Sequence, residues 1–423
     1  MSRRIRVATV ITRLAAGAGG VALRGALALD PEVYDLTMIA GGAGLDGALG
    51  YRCGTGLLTG AAATRDAPTG DLLANAAAAG LAVGRLPELV PQLSPGLDRG
   101  ALRMLTGYLA DGRFDVVHTH SAKAGALGRL AADRAGVPRI VHTYHGFPFH
   151  SEQSWPRRTA YLELERWLGR RTDAILAVGP AVAAETARLG LISPERICTI
   201  APAVDPPAAV ATVAGRAAAR RALGLAPGIR AVGTIGRVDY QKAPEQWVDA
   251  LAEIAGDDVC GVWIGDGPYT PRLLGRVRRR GLTDRFLFLG HRPDATRLLP
   301  AFDVFLLASR YEGLPCVLAE AMQAGVPVVA TAVNSVPDLV VPGVTGMLVP
   351  PNQPRLLARA AAYLLDQPQV AHRLAENAYA SLGSRFTAGA LATLLDQTYR
   401  ATPGRRTTAA RPEPQPRRSV QWT

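Results

Sequence analysis

Short apolar runs alternate along this chain with stretches in which alanine and leucine recur at helical spacing, and the rhythm persists through two long blocks. Apolar runs of strand length bounded by turn residues predict strands covered on both faces. Their regular exchange with helical segments predicts parallel α/β sheets. In the first block strands are expected at residues 6–11, 36–39, 116–118, 140–144, 174–178 and 197–200, with helices at 101–111, 125–135, 157–168 and 180–189. Pro206-Pro207 and the alanine-rich stretch behind it predict a connection or a peripheral helix. The second block predicts strands at 231–235, 259–264, 286–289, 304–307, 328–330 and 347–349, and helices at 244–254, 271–280, 317–324 and 354–365. Residues 396–400 close a last helix, and from Thr402 the chain turns rich in Pro, Arg and Thr, the composition of a disordered tail.

The expected organisation is therefore two Rossmann-like domains, 1–205 and 229–385, joined by 206–228 and followed by a helix at 386–402 and a basic tail at 403–423. A chain of 423 residues is long enough for two such cores. Open α/β sheets bind ligands outside the carboxyl ends of their strands, so two domains face to face leave a cleft lined by those loops.

Composition narrows the partners. No apolar run reaches the roughly 18 residues that a membrane-spanning helix needs. The start, Met1-Ser2-Arg3-Arg4, looks like a signal peptide, but Arg13 interrupts the apolar stretch and a glycine-rich loop is expected after it, so a cytoplasmic protein is predicted. Cys53, Cys198, Cys260 and Cys316 lie far apart, without metal or disulfide spacing. The formal charge of +12 comes almost wholly from arginine, since only Lys123 and Lys242 of 47 basic residues are lysines. Such uniform arginine use points to codon bias, and no nucleic-acid partner is predicted. The two lysines stand out for the same reason, either as survivors of that bias or as point charges at sites a guanidinium does not fit.

The densest constellation of chemistry is Ser309-Arg310-Tyr311-Glu312-Gly313-Leu314-Pro315 and the helix behind it, which carries Glu320. Pro315 suits a first helical turn, and the unpaired amides of a helix start suit a diphosphate. Carboxylates accept hydrogen bonds from paired hydroxyls, as on ribose or a sugar ring. Alone, the motif reads equally well as a dipole partner and a solvated glutamate. It is joined by Gly236-Arg237-Val238-Asp239-Tyr240-Gln241-Lys242, where a strand ends and two cations precede a helix. Two cations there are suited to neutralising a leaving diphosphate, the competing reading being a solvated loop.

Gly236-Arg237 with Lys242, Gly265-Asp266-Gly267-Pro268, Glu312 with seven residues before Glu320, and Ala324-Gly325-Val326-Pro327 together resemble the retaining glycosyltransferases of family 4. The first block agrees through Asp115-Val116-Val117-His118-Thr119-His120-Ser121-Ala122-Lys123 and His142-Thr143-Tyr144-His145-Gly146. The resemblance runs from about residue 6 to residue 350. It implies a GT-B fold, with 1–205 binding the acceptor and 229–385 the nucleotide sugar, and a helix over 390–400 crossing back to the first domain. It further implies metal-independent transfer with retained anomeric configuration, and no cofactor beyond the nucleoside diphosphate sugar as co-substrate.

By that resemblance Arg237 and Lys242 contact the diphosphate, Glu320 the ribose and Glu312 the transferred sugar, with Gly236, Gly313, Leu314 and Val317 lining the donor site. His145 approaches the donor sugar from the opposite domain, and Gly19-Gly20 form a loop over the cleft. The absence of any Asp-X-Asp pair agrees with side-chain cations taking the place of a metal. Departures from the family pattern occur at Ala201-Pro202-Ala203-Val204-Asp205, at Ala177-Val178-Gly179 and at Asn334-Ser335-Val336-Pro337-Asp338, and no role is carried over to the last.

Weaker signals remain. Gly17-Ala18-Gly19-Gly20-Val21-Ala22 matches a dinucleotide fingerprint, but no acidic residue follows the second strand to hold a ribose. His118, His120, His142 and His145 read as a cleft-lining set ahead of a metal site, with His120 an acceptor contact and His150 a loop residue. Lys123 is placed either to bind an anionic acceptor group or to sit solvated at a helix start. The stretch 155–171 mixes Trp155, Tyr161 and Trp167 with five arginines, which suits either a helix packed on its own sheet or peripheral contact with the anionic inner face of a membrane. Arg276, Arg278, Arg279 and Arg280 read as a solvated helix end. Two rival functions keep the fold: a nucleotide-sugar epimerase or sugar phosphorylase, and a non-catalytic sugar-nucleotide-binding protein.

Overall fold

The computed structural model describes residues 3–14, 16–41, 72–149, 153–204, 212–254 and 256–401. Cys53, His150, Asp205 and the predicted tail at 403–423 lie outside the described residues. The first domain runs β1 (Ile5–Ile11), α1 (Ala16–Ala28), β2 (Tyr34–Gly41), α2 (Leu72–Ala78), β3 (Ala82–Leu86), α3 (Pro95–Gly112), β4 (Val116–His120), α4 (Ala122–Arg134), β5 (Arg139–Tyr144), α5 (Trp155–Gly169), β6 (Ala174–Ala177), α6 (Pro180–Arg188) and β7 (Ile197–Thr199). The second runs α7 (Val213–Ala222), β8 (Arg230–Ile235), α8 (Pro244–Glu253), β9 (Val259–Ile264), α9 (Thr270–Arg279), β10 (Phe286–Phe288), β11 (Val304–Leu307), α10 (Cys316–Gln323), β12 (Val328–Thr331), β13 (Met347–Val349), α11 (Pro354–Asp366) and α12 (Pro368–Leu382). The last described helix is α13 (Ala388–Arg400).

Both sheets are parallel, ordered β3-β2-β1-β4-β5-β6-β7 and β10-β9-β8-β11-β12-β13. The architecture is α/β with two parallel sheets, as the alternation of apolar and helical segments predicts. The strand order of each sheet reverses once, between β1 and β4 and between β8 and β11, and at such a reversal neighbouring loops diverge to leave a crevice. The interior strands β4, β5 and β11 are buried along their whole length; β11 is accordingly apolar throughout, while β4 and β5 bury histidines whose rings are hydrogen-bonded. Proline opens α3, α6, α8, α11 and α12, where its fixed φ suits the first turn and its missing N–H leaves no bond unmade.

Helix α7 is fastened to the second domain rather than left as a free connection. Arg216 donates to Asp303 at 2.6 Å and to the Pro300 and Phe302 carbonyls at 3.1 Å. Helix α13 returns to the first domain and packs on α1, where the Leu395 side chain lies 3.1 Å from the space a β-carbon would take at Gly25. Tyr34 donates to Asp396 at 2.7 Å, and Arg139 to the Ala401 carbonyl at 2.7 Å. One apolar cluster runs from Val7 and Ile11 through Ile200 and Val204 to Phe305, Leu318 and Leu391, so the domains share a core behind the cleft.

One expectation is corrected here. Gly17, Gly19 and Gly20 are not in a loop over the cleft; all three lie in the first turns of α1. Their small size is used for packing. Leu14 backbone crowds the position of a Gly19 β-carbon at 2.9 Å, and the Arg24 guanidinium lies 3.2 Å from that of Gly20. Elements α2, β3 and α12 have no counterpart in the sequence reading.

Candidate active site

The loop after β8 and the loop after β11 meet at the crevice of the second sheet, and each is held from below. Gly236 receives the Trp263 indole N–H on its carbonyl at 3.1 Å. Beneath it passes 265–267, so closely that β-carbons at Gly265 and Gly267 would collide with the Gly236 and Val238 carbonyls. Gly265 also has a φ of +130°, open to glycine alone. The Asp239 carboxylate accepts the Lys242 amide at 3.1 Å and pairs with Arg237, whose side chain remains 59% exposed. Ala243, at φ +48°, turns the chain into α8.

Lys242 reaches across to the β11 loop, its Nζ 2.6 Å from Glu312 Oε1. The same oxygen accepts the Ser309 hydroxyl at 2.6 Å, and Gln241 Nε2 donates to Glu312 Oε2 at 3.0 Å. The Glu312 amide donates to Asn334 Oδ1 at 2.9 Å. Thus a carboxylate with little exposure is satisfied on both oxygens and fixed through its backbone as well. Behind it Pro315 is the N-cap of α10, which has no side-chain cap at its start. Burial, and next the Glu320 carboxylate, push the Cys316 thiol up to about 12, so the cysteine inside this group is a neutral thiol and no nucleophile.

The first domain meets this loop with backbone. A β-carbon at Gly313 would collide with the His145 carbonyl oxygen, and one at Gly146 would lie 3.7 Å from the Gly313 nitrogen. His145 therefore stands against the Glu312 loop from the opposite domain. Its Nε2 shares a hydrogen bond of 2.9 Å with His120 Nδ1. His118 and His120 occupy one face of β4 with ring centres 4.2 Å apart. His118 in turn bonds Tyr399 of α13 through Nδ1 and Thr143 through Nε2, both at 2.7 Å, and His142 bonds Thr119 at 2.8 Å. Burial lowers His118 to about 3 and His145 to about 4, and holds His120 and His142 well below the usual imidazole value. These are neutral rings that satisfy one another and their neighbours. Among the described residues no group of His, Cys, Asp or Glu converges as a metal site requires.

Of the residues singled out in the sequence, Gly236, Arg237, Lys242, Glu312, Gly313, Leu314, Val317 and Glu320 fall on the β8 loop, the β11 loop and α10, with His145 against Gly313; His120, expected as an acceptor contact, is buried and bonded to His145. Lys123 is a different case. Its ammonium lies 2.5 Å from Asp98 and 2.8 Å from the Gln92 carbonyl, so it ties α4 to α3 rather than waiting for an acceptor anion. Arg276 and Arg280, read as solvated, both close on Asp249. Arg24 was missed. Its charge, from α1 of the first domain, is felt at Cys316 together with Glu320 and Lys242, but one arginine among so many gave no sequence signal. Asn334 was missed as well, because nothing was carried over to its loop.

Comparison with known proteins supplies the remaining finding. Residues 216–381 match the family model described as glycosyl transferases group 1, and residues 63–207 match that of glycosyltransferase family 4. The chain is 31% identical over 272 residues to an Escherichia coli UDP-Gal:alpha-D-GlcNAc-diphosphoundecaprenol alpha-1,3-galactosyltransferase, covering 63% of this chain and 70% of that one. It is 30% identical over 317 residues to a D-inositol 3-phosphate glycosyltransferase of Actinosynnema mirum, covering 71% and 74%. Among solved structures, HepE of Anabaena in complex with UDP and glucose superposes with a TM-score of 0.76 at 21% identity, covering 93% of this chain and 99% of that one.

Proposed function

Since this chain belongs to the family 4 glycosyltransferases, we propose that it transfers a hexosyl group from a nucleoside diphosphate sugar to an acceptor hydroxyl, with retention of configuration and without a metal. The observation that carries the reading is the contact between Lys242 and Glu312 at the crevice of one sheet, with His145 of the other domain against the adjoining Gly313.

In this reading the diphosphate lies over the β8 loop and the start of α10. Arg237 and Lys242 and the free α10 amides take up the charge that grows on the departing diphosphate, the task a divalent ion performs elsewhere. Glu320 holds the ribose. Glu312, satisfied and fixed, orients the transferred sugar, with Gly236, Gly313, Leu314 and Val317 shaping the walls. His145, whose carbonyl is packed on Gly313, presents a neutral ring to the sugar from the acceptor side, and the leaving diphosphate itself takes the acceptor proton. A neutral histidine suits hydrogen bonding to sugar hydroxyls without adding charge where a cationic centre develops.

Relatives named for a diphosphoundecaprenol and for an inositol phosphate make a lipid-linked glycan or a small phosphorylated metabolite the classes to test first, with a growing polysaccharide as a third. For the lipid acceptor, the enzyme works in the cytoplasm against an anionic membrane face, and the exposed Trp155 and the arginines of α5 are the contact surface. Among the described residues no helix is long and apolar enough to cross a membrane. The test is a donor panel of UDP, GDP, ADP and dTDP sugars scored by thermal shift, followed by turnover with each acceptor class with and without chelator. The anomer of the product is then read by proton NMR. Inverted product, loss of activity with chelator, or turnover without acceptor each defeats part of the proposal.

A further inference from the structure

We propose that Asp338 is a positioning residue that conveys the closed arrangement of the two domains to the Glu312 loop. Two segments of unusual sequence, 177–179 in the first domain and 334–338 in the second, lie against each other. The Ala181 amide, in the first turn of α6, donates to Asp338 Oδ2 at 3.0 Å. Helix α6 has no side-chain cap of its own, since its N-cap is Gly179. The cap is supplied instead by a carboxylate of the other domain, and it complements the helix dipole. Gly179 is extended, with φ −171°, a conformation open to any residue. What a side chain there would meet is the other domain: a β-carbon would lie 2.8 Å from Asp338 Oδ2 and 3.0 Å from Ser335 Oγ, so the Asp338 carboxylate would have to shift.

The same short segment reaches the donor loop at its other end. Asn334, at φ +42°, accepts the Glu312 amide. Between the two contacts the chain makes a 3-10 turn, with Asp338 N bonded to the Ser335 carbonyl at 3.1 Å and Val336 N to the Val333 carbonyl at 2.9 Å. Five residues thus connect an amide that exists for Asp338 only when the domains are together with the amide of the residue that holds Lys242. Parting of the domains removes the acceptor from α6 and frees one end of the turn that fixes Glu312. The coupling makes Glu312 best ordered when the cleft is shut.

The test is hydrogen–deuterium exchange on the full chain, read at 179–183 and at 310–314, for Asp338→Ala, the near-isosteric Asp338→Asn, and Gly179→Ala from the opposite domain. Asp338→Ala and Gly179→Ala are expected to raise exchange about five- to tenfold at both segments, the scale of one lost cap. Asp338→Asn keeps an acceptor and is expected to fall between them and the wild type. Asn334→Gly, which suits the positive φ, is expected to raise exchange at 310–314 alone. In transfer assays kcat of Asp338→Ala falls by the same factor, while affinity for UDP alone stays within about twofold. Faster exchange confined to 179–183, or unchanged at both, overturns the proposal. The kinetic arm rests on the proposed function, but the exchange arm does not, so a wild type without transferase activity refutes that function and leaves the coupling to be judged by exchange.

Discussion

The Lys242 ammonium and the Glu312 carboxylate are joined at 2.6 Å although 70 residues separate them in sequence, and the pair is largely withdrawn from water. Removing Glu312 takes the recorded carboxylate partner from the Lys242 ammonium, and removing Lys242 leaves Glu312 held by Ser309 and Gln241 alone in a poorly solvated crevice. Lys242→Ala and Glu312→Ala are each expected to lower kcat at least about 100-fold and to reduce stability by about 1–3 kcal/mol. Lys242→Arg is not expected to rescue, because the lysine stem runs 3.2 Å from the position of a Gly236 β-carbon and a planar guanidinium does not fit that channel. Initial rates and thermal melts check both halves. Near-normal turnover in Lys242→Ala would remove the electrostatic account.

Gly313→Ala separates the loop's own folding from its meeting with the first domain. The obstacle to a side chain there is the His145 carbonyl, and Gly313 is not among the residues with positive φ. The variant is expected to lose at least about 100-fold in transfer while nucleotide affinity changes little, and scattering in solution should show a wider molecule. Full activity in Gly313→Ala would mean that the closed contact is dispensable.

Lys123 gives a clean contrast between structure and recognition. Its side chain is 9% exposed and is bound by Asp98 and a backbone carbonyl. Lys123→Ala is expected to destabilise by about 1–3 kcal/mol, with acceptor KM within about twofold of wild type. A tenfold rise in acceptor KM at undiminished stability would restore an anion-binding role.

The histidine group predicts a pH dependence of stability. In the folded chain burial places His118 at about 3 and His145 at about 4, with His120 and His142 also lowered. In the unfolded chain each titrates near 6.5. Between those values the unfolded chain binds more protons, so stability is fully present above about pH 6.5 and falls as pH drops toward 4. Each such ring contributes a slope of up to about 1.4 kcal/mol per pH unit. Urea unfolding at about pH 7.5 and about pH 5 is expected to show the loss, and His118→Gln to reduce it by about one proton's share. A flat profile in that window would mean that the rings take up protons while folded.

Much of the fold was legible because interior parallel strands must be apolar on both faces, and runs such as Val304–Leu307 satisfy that from local sequence alone. Edge strand β3, Ala-Val-Gly-Arg-Leu, is buried at only two of its five positions and carries no such pressure. The start of α1 was read as a glycine-rich loop, with Gly19 and Gly20 placed there by the family resemblance, yet Gly20 lets the Arg24 side chain come close and Gly25 lets α13 do so. Packing outweighed propensity there. The meeting of Lys242 with Glu312 was anticipated through the family resemblance, which places both residues at one site. The partner of Lys123 was not, since Asp98 lies on another helix and no local pattern links them. The cross-domain cap from Asp338 was hidden for the same reason.

The seat of Tyr399 on His118 has a bearing on synthesis. On the ribosome the first sheet is complete nearly two hundred residues before α13 emerges, so its α1 groove and the imidazole beneath it wait open to water until the second domain has been made. A nascent first domain should therefore be loosest along that seam, and the late arrival of one tyrosine seals the half that was translated first.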